Sequence, residues 1–507
     1  MSSPPETRDA ASAASGSWLH PRNIPARVVL GFLSFSGFLT NYMLRVNLNI
    51  AIVSMTGAAN STDANRTLAE CKVNITGFEL DESPAKSVAE FDWDNYEQGL
   101  IHGSFYWGYV LSMVPGGMLA DNYGAKLIYG GSNLICSLMG FLIPAAARMH
   151  LNALLGVRFF QGFAAGVTWP AMNVMASRWI PPDERSKFIS TYMGNSVGVA
   201  LTFPLCGILI EAFGWEWAFH VPALICLLWC VWWWYCAFDS PSQHPRISKE
   251  ELDYLEKNVI ISKKKLALPV MEILKSAPFW ALLVANLGSM WAFMTVTTYG
   301  PTYLKMVYDI NVKKNGFLSG LPNISRFTGS LFFSWLFDKM ISLKHCSITS
   351  ARKVANAISQ LIPSILFMLM GAVGCNYTAE VIVLTAASLL GGCASSGPIV
   401  NSVDLAPNFS GSIMGLMSLA GMSSGFLVPM FVGFIIKEDQ SMERWSIVFQ
   451  ITAALGFVAT VIFSVFGSGK VQSWNEPREK IARGCNGFEN EQELKEPLRS
   501  QNGRERN

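Results

Sequence analysis

Residues 216–238 read EWAFHVPALICLLWCVWWWYCAF, and no charged side chain follows Glu216 in this stretch. About 20 mostly apolar residues are enough to cross a bilayer as one helix. Eleven further runs of this kind occur, which makes twelve predicted spans: 27–56, 97–119, 127–147, 151–179, 187–211, 216–238, 278–304, 315–337, 351–373, 379–402, 412–436 and 446–467. The sequence therefore predicts an all-α membrane protein with twelve transmembrane helices.

The composition of the whole chain agrees with this prediction. Of its 507 residues only 15% are charged, whereas soluble proteins carry about 25%. The mean hydropathy is +0.31, and the 16 tryptophans and 42 glycines fit a helical membrane protein with interfacial aromatics and closely packed helices. A net charge of +2 leaves no basic excess for nucleic acid. We expect the lipid bilayer as a partner and no nucleic acid.

The longest internal hydrophilic stretch, 239–277, separates six predicted spans from six others. We expect a disordered cytosolic tail (1–26), an N-terminal six-helix bundle (27–238), a linker with a short helix opened by Ser248 and Glu251, a C-terminal bundle (278–467) and a second tail (468–507). Asp121 and Asp338 occupy matching positions after the second and eighth spans, which indicates a faint duplication. Parallel six-span repeats with a substrate site between the halves are typical of secondary transporters.

The lysines and arginines outside the spans predict the orientation. They favour the side of both termini by 25 to 9, so the positive-inside rule places both termini and the linker in the cytosol. The loop 57–96 is then extracytoplasmic, and its sequons at Asn60, Asn65 and Asn74 are expected glycosylation sites. Cys71 and Cys375 both fall outside, and whether they pair stays open.

Several enzyme and cofactor signatures are incomplete in this sequence. Ser196 and Ser423 lie in Gly-x-Ser-x-Gly patterns, but a serine-hydrolase elbow needs a strand before it, and both lie in apolar helical runs. The ten cysteines show no short-spaced pairs for a metal, and no phosphate-binding glycine loop indicates an ATPase. We therefore expect no enzymatic activity and no cofactor, with any transport driven by ion gradients.

One predicted span carries a charge near its centre. Asn41, Arg45 and Asn49 lie four residues apart, so on a helix they form one polar stripe that must face the protein interior. Arg158 and His102 are the other ionisable groups at similar depth, and no Asp or Glu lies in the central part of any span. Cations without carboxylates need a counter-charge, which an anionic substrate supplies.

Each of these groups has an alternative interpretation. Arg158, and also Arg326 in the eighth span, would serve packing if they donate to backbone carbonyls. His102 is either a proton relay in a wet cavity or a packed histidine.

The same segments carry a resemblance. Gly117–Lys126 resembles the loop signature of the major facilitator superfamily, and Arg158–Gly162 resembles its fourth-helix motif. From about Arg27 to Trp474 the chain is similar to the anion:cation symporter family, which includes sialin, vesicular glutamate transporters and type I sodium–phosphate cotransporters, with a phosphate-cotransporter type of member expected. The resemblance is carried by 41–50, 102–109, 166–171, 181–187, 315–322 and 404–407.

The resemblance implies a major facilitator fold and roles for single residues. Arg45 would bind the anionic group of the substrate, His102 would lie near the cavity, Arg158 would belong to the coupling network, and Tyr109 and Trp169 would line the site. The residues expected in the structural and gating motifs are Asp121, Lys126, Arg185 and Asp338.

Three positions depart from the family pattern. Proton-coupled members carry a fourth-helix glutamate where this chain has Ala165, and sialin has another where this chain has Gln161. Neither replacement can change charge, so proton symport is in doubt. The glutamate transporters carry a seventh-helix arginine where this chain has Ser289, which argues against a dicarboxylate substrate.

We therefore predict a monomeric secondary transporter that moves inorganic phosphate or a small organic anion by alternating access. Arg45 would bind it with help from His102 and from polar groups such as Asn401. Sodium or the membrane potential is the favoured driving force, and protons are the alternative. A sialin-like proton-coupled exporter and a non-transporting sensor or scaffold remain alternatives. The tails lack an acidic dileucine signal, which favours the plasma membrane over lysosomal or vesicular membranes.

Overall fold

The computed structural model describes residues 25–56, 90–181, 190–259, 269–437 and 441–475, together with Glu184 and Phe188. We number the membrane-crossing segments as spans 1 to 12. Spans 1 to 6 are Ala26–Thr56, Asn95–Tyr123, Ala125–Met149, Leu151–Gly166 continued by Thr168–Trp179, Gly194–Phe213 and Trp217–Cys236. Spans 7 to 12 are Ala277–Tyr308, Val312–Ser342, Ile348–Val373, Tyr377–Gly391 continued by Pro398–Leu405, Ser410–Ile435 and Met442–Phe466.

Two helices of the linker complete the described α-helices. Lys249–Asn258 begins at Ser248, whose hydroxyl accepts a hydrogen bond from the backbone N–H of Glu251 at 3.2 Å. This cap confirms the helix start predicted from the sequence. Val270–Leu274 follows and leads into span 7.

Eight of the described helical segments are long and apolar enough to cross a membrane: spans 3, 5, 6, 7, 9, 10, 11 and 12. The other four spans, 1, 2, 4 and 8, are those that hold Arg45, His102, Arg158 and Arg326. Polar side chains in a span are tolerated where they face protein rather than lipid.

Spans 4 and 10 were predicted as continuous but are each divided. Span 4 is interrupted at Val167, three residues before Pro170, which has no N–H to donate to the carbonyl of Gly166. Span 10 passes through a 3₁₀ turn at Gly392–Ser395 before Pro398 restarts the α-helix. A proline follows each interruption within a few residues, and apolar periodicity does not reveal either one.

The packing of the spans repeats between the two halves of the chain. Span 1 packs on spans 5 and 6, span 2 on span 4, and span 3 on spans 4 and 6. In the same way, span 7 packs on spans 11 and 12, span 8 on span 10, and span 9 on spans 10 and 12. The halves meet where span 2 packs on span 11 and span 5 on span 8, with span 1 beside span 7. The predicted arrangement of two six-helix bundles is confirmed.

Close packing of helices explains the Gly-x-Ser-x-Gly patterns. A Cβ atom at Gly194 or Gly198 would collide with the span 1 backbone, and one at Gly425 would collide with the ring of Tyr106. Ser196 and Ser423 lie inside continuous helices, with no strand before them in the described chain. Small residues here let neighbouring helices approach closely.

Candidate functional site

The polar stripe of span 1 lies inside the protein, as predicted. Asn41, Arg45 and Asn49 are all buried. The amide of Asn41 donates to Asn133 Oδ1 in span 3 at 3.0 Å, and that of Asn49 donates to the carbonyl oxygen of Thr297 in span 7 at 3.0 Å. The two asparagines therefore fix span 1 against both halves, with Arg45 between them.

The guanidinium of Arg45 lies in a cage of aromatic rings. Its carbon is 4.9 Å from the ring centre of Tyr42, 4.7 Å from that of Tyr106 and 5.0 Å from that of Tyr109. Nε donates to the Tyr106 hydroxyl at 3.3 Å, and Nη2 donates to the sulfur of Met422 at 3.3 Å. Nη1 and the Tyr109 hydroxyl are buried without a hydrogen-bond partner in the described chain. The cage stabilises a cation and leaves a donor free.

No carboxylate pairs with this cation among the described residues. The ion pairs of the described segments use other cations: Arg27, Arg148, Arg178, Lys305, Lys313 and Arg352. A buried charge without a counter-charge is costly. The site is thus complementary to an anion.

Arg158 lies beside Arg45 and is fully buried. Its Nη1 donates to Gln161 Oε1 at 2.8 Å and its Nη2 to the backbone carbonyl of Arg45 at 3.4 Å, while Nε has no partner in the described chain. Arg158 therefore donates to a backbone carbonyl, which is the packing role given above as its alternative interpretation. Arg158 holds the backbone of Arg45 in place, with Gln161 as its neutral partner.

His102 follows the same helical face as Tyr106 and Tyr109, at spacings of four and seven residues. Its side chain is buried and its ring packs against Tyr299 of span 7, with 5.8 Å between ring centres. The Tyr106 hydroxyl also donates to the sulfur of Met294 in span 7, at 3.2 Å. This face of span 2 therefore joins the Arg45 cage to the C-terminal half.

Two predicted site residues lie apart from this cluster. Trp169 packs on Phe38 at 5.1 Å between ring centres, and Phe38 lies two helical turns, roughly 10 Å, from Arg45 along span 1. Asn401 is buried near the end of span 10, where its amide donates to the carbonyl of Ser468 at 3.1 Å. The structure brings together Arg45, His102, Tyr109 and Arg158 but places these two elsewhere.

The predicted gating residues lie at the ends of the spans. The carbonyl of Asp121 accepts a hydrogen bond from Arg178 at 3.2 Å, and the backbone N–H of Lys126 donates to Asp239 at 2.8 Å. Asp338 is exposed. Arg185 lies outside the described residues, as do Asn60, Asn65, Asn74 and Cys71. Cys375 is disulfide-bonded.

The sequence did not single out Tyr42, Tyr106, Met422 or Glu380. Tyr42 and Tyr106 precede Arg45 and Tyr109 by three residues, so helical spacing was the available signal. Glu380, in the first turn of span 10, is fully buried and faces Tyr303 and Tyr308. Because Glu380 lies near the end of a span, nothing in the sequence indicated that it is buried.

Comparison with known proteins agrees with this architecture. The family model described as Major Facilitator Superfamily matches residues 30–429. A bacterial homologue of the human lysosomal transporter Spinster, in an inward-facing and occupied conformation, has a similar fold, with a TM-score of 0.63 at 14% identity over 87% of this chain and 97% of that one. The fold is that of a multi-pass membrane transporter.

Two sequence relatives narrow the class. Sialin of Homo sapiens is 33% identical over 89% of this chain and 90% of its own length. Vesicular glutamate transporter 2 of Bos taurus is 32% identical over 93% of this chain and 79% of its own length. The chain belongs to the anion:cation symporter family of the major facilitator superfamily.

Proposed function

We propose that this protein transports a small anion, inorganic phosphate or a small organic acid, by alternating access, with Arg45 as the group that binds it. The observation that carries the proposal is the free Nη1 of a buried guanidinium that has no carboxylate partner in the described chain. Guanidinium binds phosphate and carboxylate oxygens through two parallel hydrogen bonds. A relative named vesicular glutamate transporter 2 supports an anionic substrate, because glutamate is an anion.

The position of Arg45 supports alternating access. We call the side where span 1 ends and span 2 begins the loop side. There the halves are joined by Asn49, by the amide of Asn95, which donates to the Ile436 carbonyl at 2.7 Å, and by the Lys313–Glu211 ion pair at 3.1 Å. With the loop side extracytoplasmic, as the basic residues predict, this arrangement is closed toward the outside. A substrate at Arg45 would contact both halves.

We propose that a sodium gradient or the membrane potential drives this transport. We also propose that the protein lies in the plasma membrane. Span 4 has Ala165 and the neutral Gln161 where proton-coupled relatives are expected to carry glutamates. The side-chain oxygen of Gln161 accepts a hydrogen bond from Arg158. Proton-coupled export of an organic acid is the second candidate. The observation that favours it is Glu380, a fully buried carboxylate in the C-terminal half.

Uptake of a panel of labelled anions into proteoliposomes tests the proposal, with sodium, pH gradient and membrane potential varied one at a time. Arg45→Ala should abolish saturable uptake, and Arg45→Lys should raise KM because one charge remains without the two-pronged geometry. Arg148→Gln, which removes an exposed arginine outside the cluster, serves as the control. Unchanged uptake by Arg45→Ala would refute the role of Arg45. Ligand binding without flux in the wild type would favour a sensor.

A further inference from the structure

Two methionines of the C-terminal half contact the cage around Arg45. The sulfur of Met422 in span 11 accepts a hydrogen bond from Arg45 Nη2 at 3.3 Å. The sulfur of Met294 in span 7 accepts one from the Tyr106 hydroxyl at 3.2 Å. A thioether is a weak acceptor on a flexible and largely apolar side chain. These two hydrogen bonds from the cage thus end on apolar side chains of the other half.

The hydroxyl groups of the C-terminal half next to this contact are already used within that half. Ser423 and Ser424, which follow Met422, each donate at 2.6 Å to a backbone carbonyl three residues earlier in span 11. The hydroxyl of Tyr299, whose ring packs against span 2, donates to the carbonyl of Pro429 at 3.1 Å. None of these three hydroxyls is therefore a free donor for a second anionic group of a ligand at the cage.

Arg326, the cation of span 8, faces away from the two methionines. Its guanidinium carbon is 4.7 Å from the ring centre of Phe293, and it lines a cavity whose lining residues all belong to the C-terminal half. Neither Met294 nor Met422 lines that cavity. In the described chain, the contact between the cage and the two methionines therefore has one cation, Arg45.

The N-terminal half leaves two neighbouring donors at the cage. Arg45 Nη1 and the Tyr109 hydroxyl are buried without a hydrogen-bond partner in the described chain, and the guanidinium carbon is 5.0 Å from the centre of the Tyr109 ring. Arg158 also has a free Nε, but Gln161 and the Arg45 backbone hold its other two nitrogens. Two donors suit the two oxygens of one carboxylate. Phosphate has four oxygens, and those left over would face rings and thioethers, which is costly.

We propose that the substrate is a monocarboxylate with an apolar body, rather than inorganic phosphate or a dicarboxylate. This inference rests on the proposed function, in which Arg45 binds the anionic group. The carboxylate would accept hydrogen bonds from Arg45 and Tyr109, and the body would lie against the side chains of Met422 and Met294. Unbranched thioether side chains adapt their shape to an apolar ligand. The two methionines are thus the residues of the C-terminal half that determine specificity.

Calorimetric titration of the purified full-length protein tests the substrate class, with acetate, propionate, butyrate and phosphate as ligands. Each added methylene should tighten binding about three- to fourfold, because it is buried against the methionines. Phosphate should bind at least about tenfold more weakly than butyrate. Arg45→Gln should lose the binding of every ligand, and its titrations correct for partition of the acids into detergent.

Variants of Met422 test its role through the ratio of butyrate to acetate affinity. Met422→Gln should bring this ratio close to one, because its amide replaces the apolar surface that covers the body of the substrate. Met422→Leu should keep the ratio, since leucine is apolar and of similar size. Ser423→Ala is the matched control on the same helix, because the hydroxyl that it removes donates to its own backbone.

The outcomes separate this inference from the proposed function. Binding of phosphate or succinate as tight as that of butyrate, and lost in Arg45→Gln, would overturn the inference and leave the role of Arg45 intact. Butyrate binding that persists in Arg45→Gln would refute that role itself. If Met422→Gln does not fold, the wild-type series decides, because equal affinities for acetate and butyrate would overturn the inference.

Discussion

The contact between Gly425 and Tyr106 makes the closure of the loop side testable. A Cβ atom added at Gly425 would overlap Cδ1, Cε1 and Cγ of the Tyr106 ring, where an ordinary contact distance is at least 3.4 Å. The ring must therefore withdraw by more than about 1 Å or the halves must separate. Overpacking of this size costs roughly 1–3 kcal/mol. Gly425→Ala should therefore shift the equilibrium away from the closed arrangement by roughly 5- to 150-fold.

Alkylation of a buried reporter cysteine measures this shift. Asn49→Cys, in a background without other reactive cysteines, should be protected in the closed arrangement because Asn49 is only 6% exposed between spans 1 and 7. Its alkylation rate should rise with Gly425→Ala in proportion to the open population. Gly415→Ala is the matched control, because a Cβ there on the same helix meets nothing within 4 Å. Equal rates for the two alanine variants would refute the reasoning.

Two ion pairs give further predictions. Arg148 donates to Glu90 at 2.7 Å and thereby lowers the pKa of that carboxyl. Arg148→Gln should cost about 1 kcal/mol at pH 7. This difference should shrink as pH falls through the lowered pKa of Glu90, because protonated Glu90 no longer gains from the arginine, while the ion pair of Arg148 with Glu216 keeps part of it. Thermal unfolding of both proteins from pH 7 to pH 3 would measure it. Arg352 is buried and donates to Asp404 at 2.7 Å. Arg352→Met should lower the free energy of unfolding by about 3 kcal/mol, because it leaves Asp404 without its partner, and the double variant with Asp404→Asn should lose much less. A double-mutant cycle of unfolding free energies would measure this difference.

The number of spans and the interior face of span 1 could be predicted from the sequence because both depend on local patterns. A run of apolar residues is recognisable without knowing its neighbours, and the spacing of Asn41, Arg45 and Asn49 follows from one helix alone. The division of span 4 at Val167 lies close to Pro170, which lacks a backbone donor. It was missed because the apolar pattern runs through the break.

The contacts across the halves could not be predicted in this way. Met422 lies 377 positions from Arg45 in the chain, and no pattern in span 11 indicates which of its side chains faces span 1. Glu380 shows the same limit, since its position near a span end suggests exposure and only tertiary packing buries it, with Tyr303 and Tyr308 of span 7 among its neighbours. Local spacing predicts a polar face, but its partners depend on the packing of whole bundles.

The contacts around Arg45 differ in strength according to the half that supplies them. Within the N-terminal half, Arg158 holds the Arg45 backbone, and the rings of Tyr42 and Tyr109 hold its guanidinium. From the C-terminal half, the only described hydrogen bond to the guanidinium is to the sulfur of Met422, a weak acceptor. Separating the halves therefore breaks little at Arg45 itself, and the cation moves with the N-terminal half. An anion that bridges Arg45 to the other half would add a stronger contact than the methionine provides, so occupancy by substrate would decide which arrangement is favoured.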